Sequence, residues 1–109
     1  MTNQSTESVE VLMQPLIAPP QLNADNRLEF RRLMLEHLES AVHQGDETID
    51  VDLGGTVEMD ASGLGVLVLL QKRARERGLR TRLMHASREV YETLVLTRLD
   101  TLFELPTSS

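Results

Sequence analysis

Apolar and polar positions along this chain repeat with a period that switches between two and about 3.6, and the switching marks out its elements. Phe30, Met34, Leu38, Ala41 and Val42 fall on one stripe while Glu29, Arg32, Glu36, Glu39 and His43 lie opposite, which predicts an amphipathic helix. Asp25 or Asn26 supplies its N-cap, and Gly45-Asp46 ends it after about Gln44. Thr48 to Leu53 then alternates, with Ile49, Val51 and Leu53 on one face, and predicts a strand. Ser62 to Arg77 predicts a second helix, apolar in its first half, basic in its second, and stopped by Gly78. Leu79 to Met84 predicts the next strand. Ser87 caps a third helix with Val90, Tyr91, Leu94 and Val95 facing inward, and Leu102-Phe103-Glu104-Leu105 predicts a last short strand. Upstream, Val9 to Met13 is a short strand candidate, and Pro15, Pro19 and Pro20 limit the stretch after it to an edge strand or an irregular crossing. This order of elements predicts one α/β domain over residues 8–105, with a mixed, mostly parallel sheet of four to five strands and three to four packed helices. Residues 1–7 and 106–109 are expected to be flexible ends.

Composition narrows the function classes. A chain of 109 residues, 40% of them hydrophobic, is one domain that buries roughly two-thirds of its unfolded surface. It has no cysteine, which excludes disulfides, thiol catalysis and cysteine-based metal sites. The polar start M-T-N-Q-S-T-E-S does not have the pattern of a signal peptide, and the apolar run Leu64 to Leu70 falls far short of the roughly 20 residues that span a bilayer. A soluble, cytoplasmic protein without membrane insertion is expected. With a net charge of −6 and only Phe30, Tyr91 and Phe103 as aromatics, nucleic acid is not an expected partner. The local basic cluster Lys72, Arg73, Arg75, Arg77, Arg80 and Arg82 reads as a solvated face at a helix C-terminus and the strand after it.

The densest stretch is Asp52 to Leu67, D-L-G-G-T-V-E-M-D-A-S-G-L-G-V-L. A strand ends at Asp52-Leu53, a loop comes next, and Asp60-Ala61-Ser62-Gly63 opens the second helix. The N-terminus of that helix carries unpaired N–H groups and the positive end of its dipole, which suit an anion on the adjacent loop. Taken singly, Asp60 or Ser62 reads better as an N-cap, with Gly63 and Gly65 allowing tight packing, and it is the whole block in its strand–loop–helix setting that points to a functional surface.

This block resembles, without a gap, the signature of the STAS domain (sulphate transporter and anti-sigma factor antagonist), roughly D-L-S-x-h-x-x-h-D-S-S-G-h-G-h-L with h apolar. The resemblance extends to Leu22-Asn23-Ala24 (usually L-D-A), to Gly78, and to the closing S-R-E-V-Y-E-T-L-V-L-T-R-L-D-T-L-F, where Arg98 stands at a common Gly. It implies a STAS-like fold and a non-enzymatic, cofactor-free regulatory domain. Its implied role is that of an anti-sigma factor antagonist in bacterial partner switching, bound by a kinase-type anti-sigma factor or related serine kinase, with a phosphatase as a further partner. The implied partner-binding loop is Asn23, Asp60, Ala61, Ser62, Gly63, Leu64 and Gly65. In those antagonists the phospho-acceptor directly follows the loop Asp; here it is Ala61, so Ser62 is the nearest hydroxyl, one residue too far along. Asn23 replaces a loop Asp and loses its charge. The alternative within binding modules is a STAS subunit of a lipid-transport or chemosensory complex.

Enzyme alternatives have weaker support. Asp50-Val51-Asp52 before Gly54-Gly55-Thr56-Val57 is similar to the D-x-D-G-T nucleophile loop of haloacid-dehalogenase-type, magnesium-dependent phosphatases, but the spacing is wrong and strand alternation puts both carboxylates on a solvated face. His37 and His43 are separated by about 120° around their helix and form no i, i+4 metal pair. A Ser62–His85–Asp60 triad lacks the G-x-S-x-G elbow, and Gly63-Leu64-Gly65 lacks the rest of a nucleotide loop. No metal site is expected.

Overall fold

The computed structural model describes residues 14–106. The predicted strand Val9 to Met13 lies outside the described residues. Among the described residues, five short strands alternate with three helices: β1 (Leu16–Ile17), β2 (Gln21–Leu22), α1 (Arg27–His43), β3 (Thr48–Asp52), β4 (Glu58–Met59), α2 (Ala61–Glu76), β5 (Arg80–Met84) and α3 (Arg88–Leu96), followed by a 3-10 turn, Asp100–Leu102. No described helix is long and apolar enough to cross a membrane.

The strands form two sheets, β1-β3-β5 and β2-β4, and every strand pairing in them is parallel. The division results from the prolines. Pro19 and Pro20 have no N–H to give a ladder, so beyond β1 the chain leaves the main sheet and offers carbonyls. Pro19 O accepts from Thr56 Oγ1 at 2.8 Å, and Pro20 O accepts from Val57 N at 2.8 Å. Those bonds hold the β3–β4 loop against β2 and start the second sheet. The closing strand expected at Leu102 to Leu105 is reduced to one parallel bridge, Arg82 to Glu104, beside β5.

Ile49, Val51 and Leu53 are buried on one face of β3, as their alternation requires, and α1 covers the core with Phe30, Met34, Leu38 and Ala41. The near-continuous apolar run of α2 places Leu67, Leu70 and Ala74 at full burial and makes α2 the central helix of the fold. In α3 the buried row is Val90 and Leu94 alone, whereas Tyr91 and Val95 are exposed, contrary to the inward set of four read from the sequence. Nine residues give α3 only about two and a half turns, so it meets the core along one i, i+4 row.

All three helices close in the same way. Gly78 N donates to Arg75 O and Leu79 N to Ala74 O, the paired bonds of a Schellman motif, with Gly78 at φ +84°. Gly45 at φ +77° does the same after α1. After α3 the left-handed position is Arg98, at φ +61°, where a Cβ is unfavourable.

Two stability measurements test this packing. Leu67→Ala should cost about 2–5 kcal/mol in denaturant melts, through lost transfer energy and a cavity; a loss under about 1 kcal/mol would contradict the central position of α2. Arg98→Gly should raise stability by about 0.5–1 kcal/mol by relieving the left-handed residue. An unchanged or lower midpoint would mean that the arginine side chain contributes more than its backbone costs.

Candidate functional site

The site forms where β2 and β4 hand the chain to α1 and α2. Parallel pairing sets Leu22 beside Met59, so the two strands end together, and Asp60 N donates to Leu22 O at 3.1 Å. The loop Asn23–Asn26 and the loop at Asp60 are therefore neighbours. Asp60 is extended, with φ −107° and ψ −171°, and is the N-cap of α2. Its Oδ1 accepts from Ser62 N at 2.9 Å and from Gly63 N at 3.1 Å. The carboxylate thus occupies two of the N–H groups that an external anion would use.

The neighbouring loop is knitted by amides. Asn23 Oδ1 accepts from Asp25 N at 3.0 Å, and Asn26 Oδ1 accepts from Asn23 N at 3.0 Å. Asn26 Nδ2 donates back to Gln21 O at 2.6 Å. Asn26 stands at the N-cap position of α1 as expected, but its side chain ties the loop and makes no cap bond to the helix. The amide of Asn23 keeps the turn that a carboxylate would form, without the charge.

The seven residues of the expected partner-binding loop divide by exposure. Asp60, Ala61 and Gly65 are exposed, and Asn23 and Ser62 partly so. Gly63 and Leu64 are buried and position the face instead of presenting it. At Gly63 an added Cβ would lie 2.6 Å from Leu22 Cβ and nearer still to the Leu22 carbonyl oxygen, so only glycine admits this approach. Gly65 is different: a Cβ there would meet no atom within 4 Å, which corrects the expectation that both glycines serve close packing. Its bare backbone is instead part of the surface. Ser62 contributes its backbone N–H to the cap.

The other sequence candidates are dispersed. Asp50 Oδ1 faces Arg82 Nε at 3.5 Å, while Asp52 Oδ1 accepts from Gly54 N at 2.8 Å and lies 3.1 Å from His85 Nδ1. Asp52 is held by hydrogen bonds and Asp50 only by the Arg82 ion pair, with neither Asp50 Oδ1 nor Arg82 Nε hydrogen-bonded, so the two carboxylates are engaged separately, and His85 belongs to Asp52 and not to a triad with Ser62. A cavity of about 580 Å³ beside β1 and α1 holds His37 with Asp46 and Asp50. Burial pushes His37 below the ordinary imidazole range, with the two carboxylates pulling the other way. No cluster of three metal-ligating side chains occurs among the described residues.

Three residues of this face lie outside the sequence motif. Arg27, Leu28 and Arg31 of α1 form one wall of a cavity of about 430 Å³ whose other wall includes Ala61, Ser62 and Gly65. The available signal was their charge: two arginines near a helix N-terminus oppose its dipole.

The two glycines separate in a melting experiment. Gly63→Ala should lose about 1–3 kcal/mol by forcing α2 away from β2, whereas Gly65→Ala should gain about 0.5–1 kcal/mol from helix propensity with no steric cost. Equal effects at the two positions would contradict this packing.

Comparison with known proteins places these features. The family model described as "Mlab, STAS domain" matches residues 21–105. Among solved structures, the candidate anti-sigma factor antagonist TM1081 of Thermotoga maritima is 24% identical in its crystal structure, with a TM-score of 0.70 over 84% of this chain and 78% of that one. The anti-sigma factor antagonist SpoIIAA in its unphosphorylated form is 19% identical, with a TM-score of 0.64 over 84% of this chain and 77% of that one. Both likenesses establish a shared fold. Comparison with curated proteins gives no match. The family match covers most of the chain and contains the Asp60 cap, the Gly63 contact and α2, and on that ground this protein belongs to the STAS domain family.

Proposed function

We propose that this domain is a non-enzymatic regulatory docking module of the anti-sigma factor antagonist type, which binds a kinase-type partner through the face built on Asp60, Ala61 and the start of α2. The observation that carries this role is the combination at that face. The Asp60 cap and the Gly63 contact fix its shape, while Ala61, the first residue of α2, is exposed and carries no hydroxyl. A phosphate on the residue after the loop Asp would add about two negative charges next to the Asp60 carboxylate and break a complex by repulsion and desolvation. With Ala61 in that place, binding is released from this control and the face stays competent.

That same residue favours a second reading. A STAS subunit held permanently in a lipid-transport or chemosensory complex requires the fold and the docking face but no phosphorylation step. The identity of the protein retained by the domain from native lysate separates the two: a histidine-kinase-like ATPase domain supports the first, a transporter ATPase the second. The phosphohydrolase alternative is disfavoured by the separate engagement of Asp50 and Asp52. Magnesium-dependent turnover of an aryl phosphate would revive it.

The substitution that tests the docking face is Ala61→Asp. A carboxylate partly imitates phosphate and would be desolvated against the partner, so affinity for the retained protein should fall at least about tenfold, or about 1.4 kcal/mol, in calorimetry. Thr101→Asp, on the exposed 3-10 turn, makes the same charge change outside this face and should leave affinity unchanged. Ala61→Ser should bind like the parent and become releasable once a kinase has acted on it. Parent-like affinity in a folded Ala61→Asp variant would place the interaction surface elsewhere.

A further inference from the structure

The first two turns of α1 carry three arginines with different surroundings. Arg32 is neutralised by Glu36 at 2.9 Å and by Glu29 at 3.5 Å. Arg27 and Arg31 form no ion pair among the described residues. They are one turn apart on one side of the helix, near its positive end, where cations weaken the helix that bears them. They therefore gain no local stabilisation from their position.

What they do share is a groove. Arg27, Leu28 and Arg31 face Ser62, Gly65 and Leu69 across the cavity of about 430 Å³ beside the Asp60 loop. Leu28 is 67% exposed, and the floor at Gly65 is free of any atom that a side chain would meet. The chain as a whole carries a net charge of −6, so this is a local cationic groove on an acidic protein. An acidic segment would be drawn to this place, as to the exposed basic end of α2, and here the cations flank an apolar groove with Leu28 and Leu69.

We infer that the groove receives an acidic amphipathic helix of the partner, whose carboxylates bond Arg27 and Arg31 and whose apolar side chain packs over Gly65 against Leu28 and Leu69. Guanidinium groups meet carboxylates through paired N–H donors, which fixes the angle of the incoming helix as well as holding it. A free phosphate or a lipid headgroup would satisfy the arginines but leave Leu28 uncovered, and a protein helix satisfies both. Ala61 and Ser62 line the same groove, so a partner seated on the Asp60 loop reaches it without moving. The inference rests on the docking role proposed above and specifies the chemistry of that partner.

The test is a titration of the full chain against the purified protein that the parent domain retains from lysate, at about 50 and about 300 mM salt. Arg27→Glu with Arg31→Glu is compared with Arg73→Glu and Arg75→Glu, an equal charge change in the last turns of α2, after melting has shown every variant to be folded. The groove pair should lose at least about tenfold in affinity and most of the salt dependence, while the control pair stays within about twofold of the parent. Equal losses in both pairs would overturn the inference in favour of general charge steering. Parent-like binding by the groove pair, with Ala61→Asp still impaired, would overturn it and leave the docking role standing; parent-like binding by both would remove the docking role itself. If only binding to anionic phospholipid vesicles were lost, the groove would be a headgroup site and the helix assignment wrong.

Discussion

One contact governs the geometry of this domain: the approach of the first turn of α2 to the backbone of β2 at Leu22. Leu22 is buried, its carbonyl accepts the Asp60 N–H, and Gly63 lies so close that no side chain fits between. A helix that sits on a carbonyl in this way cannot slide or rotate without losing a backbone bond in a poorly solvated place, which is costly. Because the N-terminus of α2 is fixed there, the direction of its apolar run is fixed too, and Leu67 and Leu70 are driven into the space between α1 and the main sheet. The face proposed for docking is the outer side of the same contact. Rigidity at Asp60, Ala61 and Ser62 is inherited from burial at Leu22 and Gly63, so the core and the proposed docking surface are two sides of one packing solution.

Electrostatics at this face are economical. The Asp60 carboxylate is used on its own helix, Asn23 contributes turn geometry without charge, and Ala61 contributes neither charge nor hydroxyl. The charged residues lining the neighbouring cavity are both cationic, Arg27 and Arg31. A face of this kind presents shape at its centre and positive potential along one side. Such an arrangement suits a partner that docks by fit and is oriented by its carboxylates, since complementary charge sets register and encounter rate more than raw affinity.

The sequence displayed most of the fold because its signals were strong and mutually consistent. The stripe of Phe30, Met34, Leu38 and Ala41, the alternation of Ile49, Val51 and Leu53, and Leu64, Val66, Leu67 and Leu70 of the apolar run are each dictated by burial against a neighbour, and each is buried, while Val68 and Leu69 are only partly so. Leu64 belongs both to that apolar run and to the expected partner-binding set, and its burial at the helix's entrance follows the run. The separation of β2 and β4 into their own sheet was not legible, since it depends on the carbonyls of Pro19 and Pro20 meeting Thr56 and Val57, more than thirty residues away. Gly63 and Gly65 look alike in the chain, and only the neighbour across the gap distinguishes them. At α3 the apolar pattern overstated burial, because Tyr91, Val95 and Leu96 have no second layer to meet. The arginines of α1 were hidden for the opposite reason, as surface charge reads as solvation until a groove is seen beside it.

The most direct test of the docking role is hydrogen exchange, followed by mass spectrometry, on the domain alone and bound to the protein it retains. Peptides covering Leu22 to Arg31 and Asp60 to Leu69 should slow on binding, while the exposed apolar residues Tyr91, Val95, Leu96 and Leu102 keep their rates. Protection of the segment from Tyr91 to Leu102, with Asp60 to Leu69 unchanged, would contradict the account and move the interface to α3.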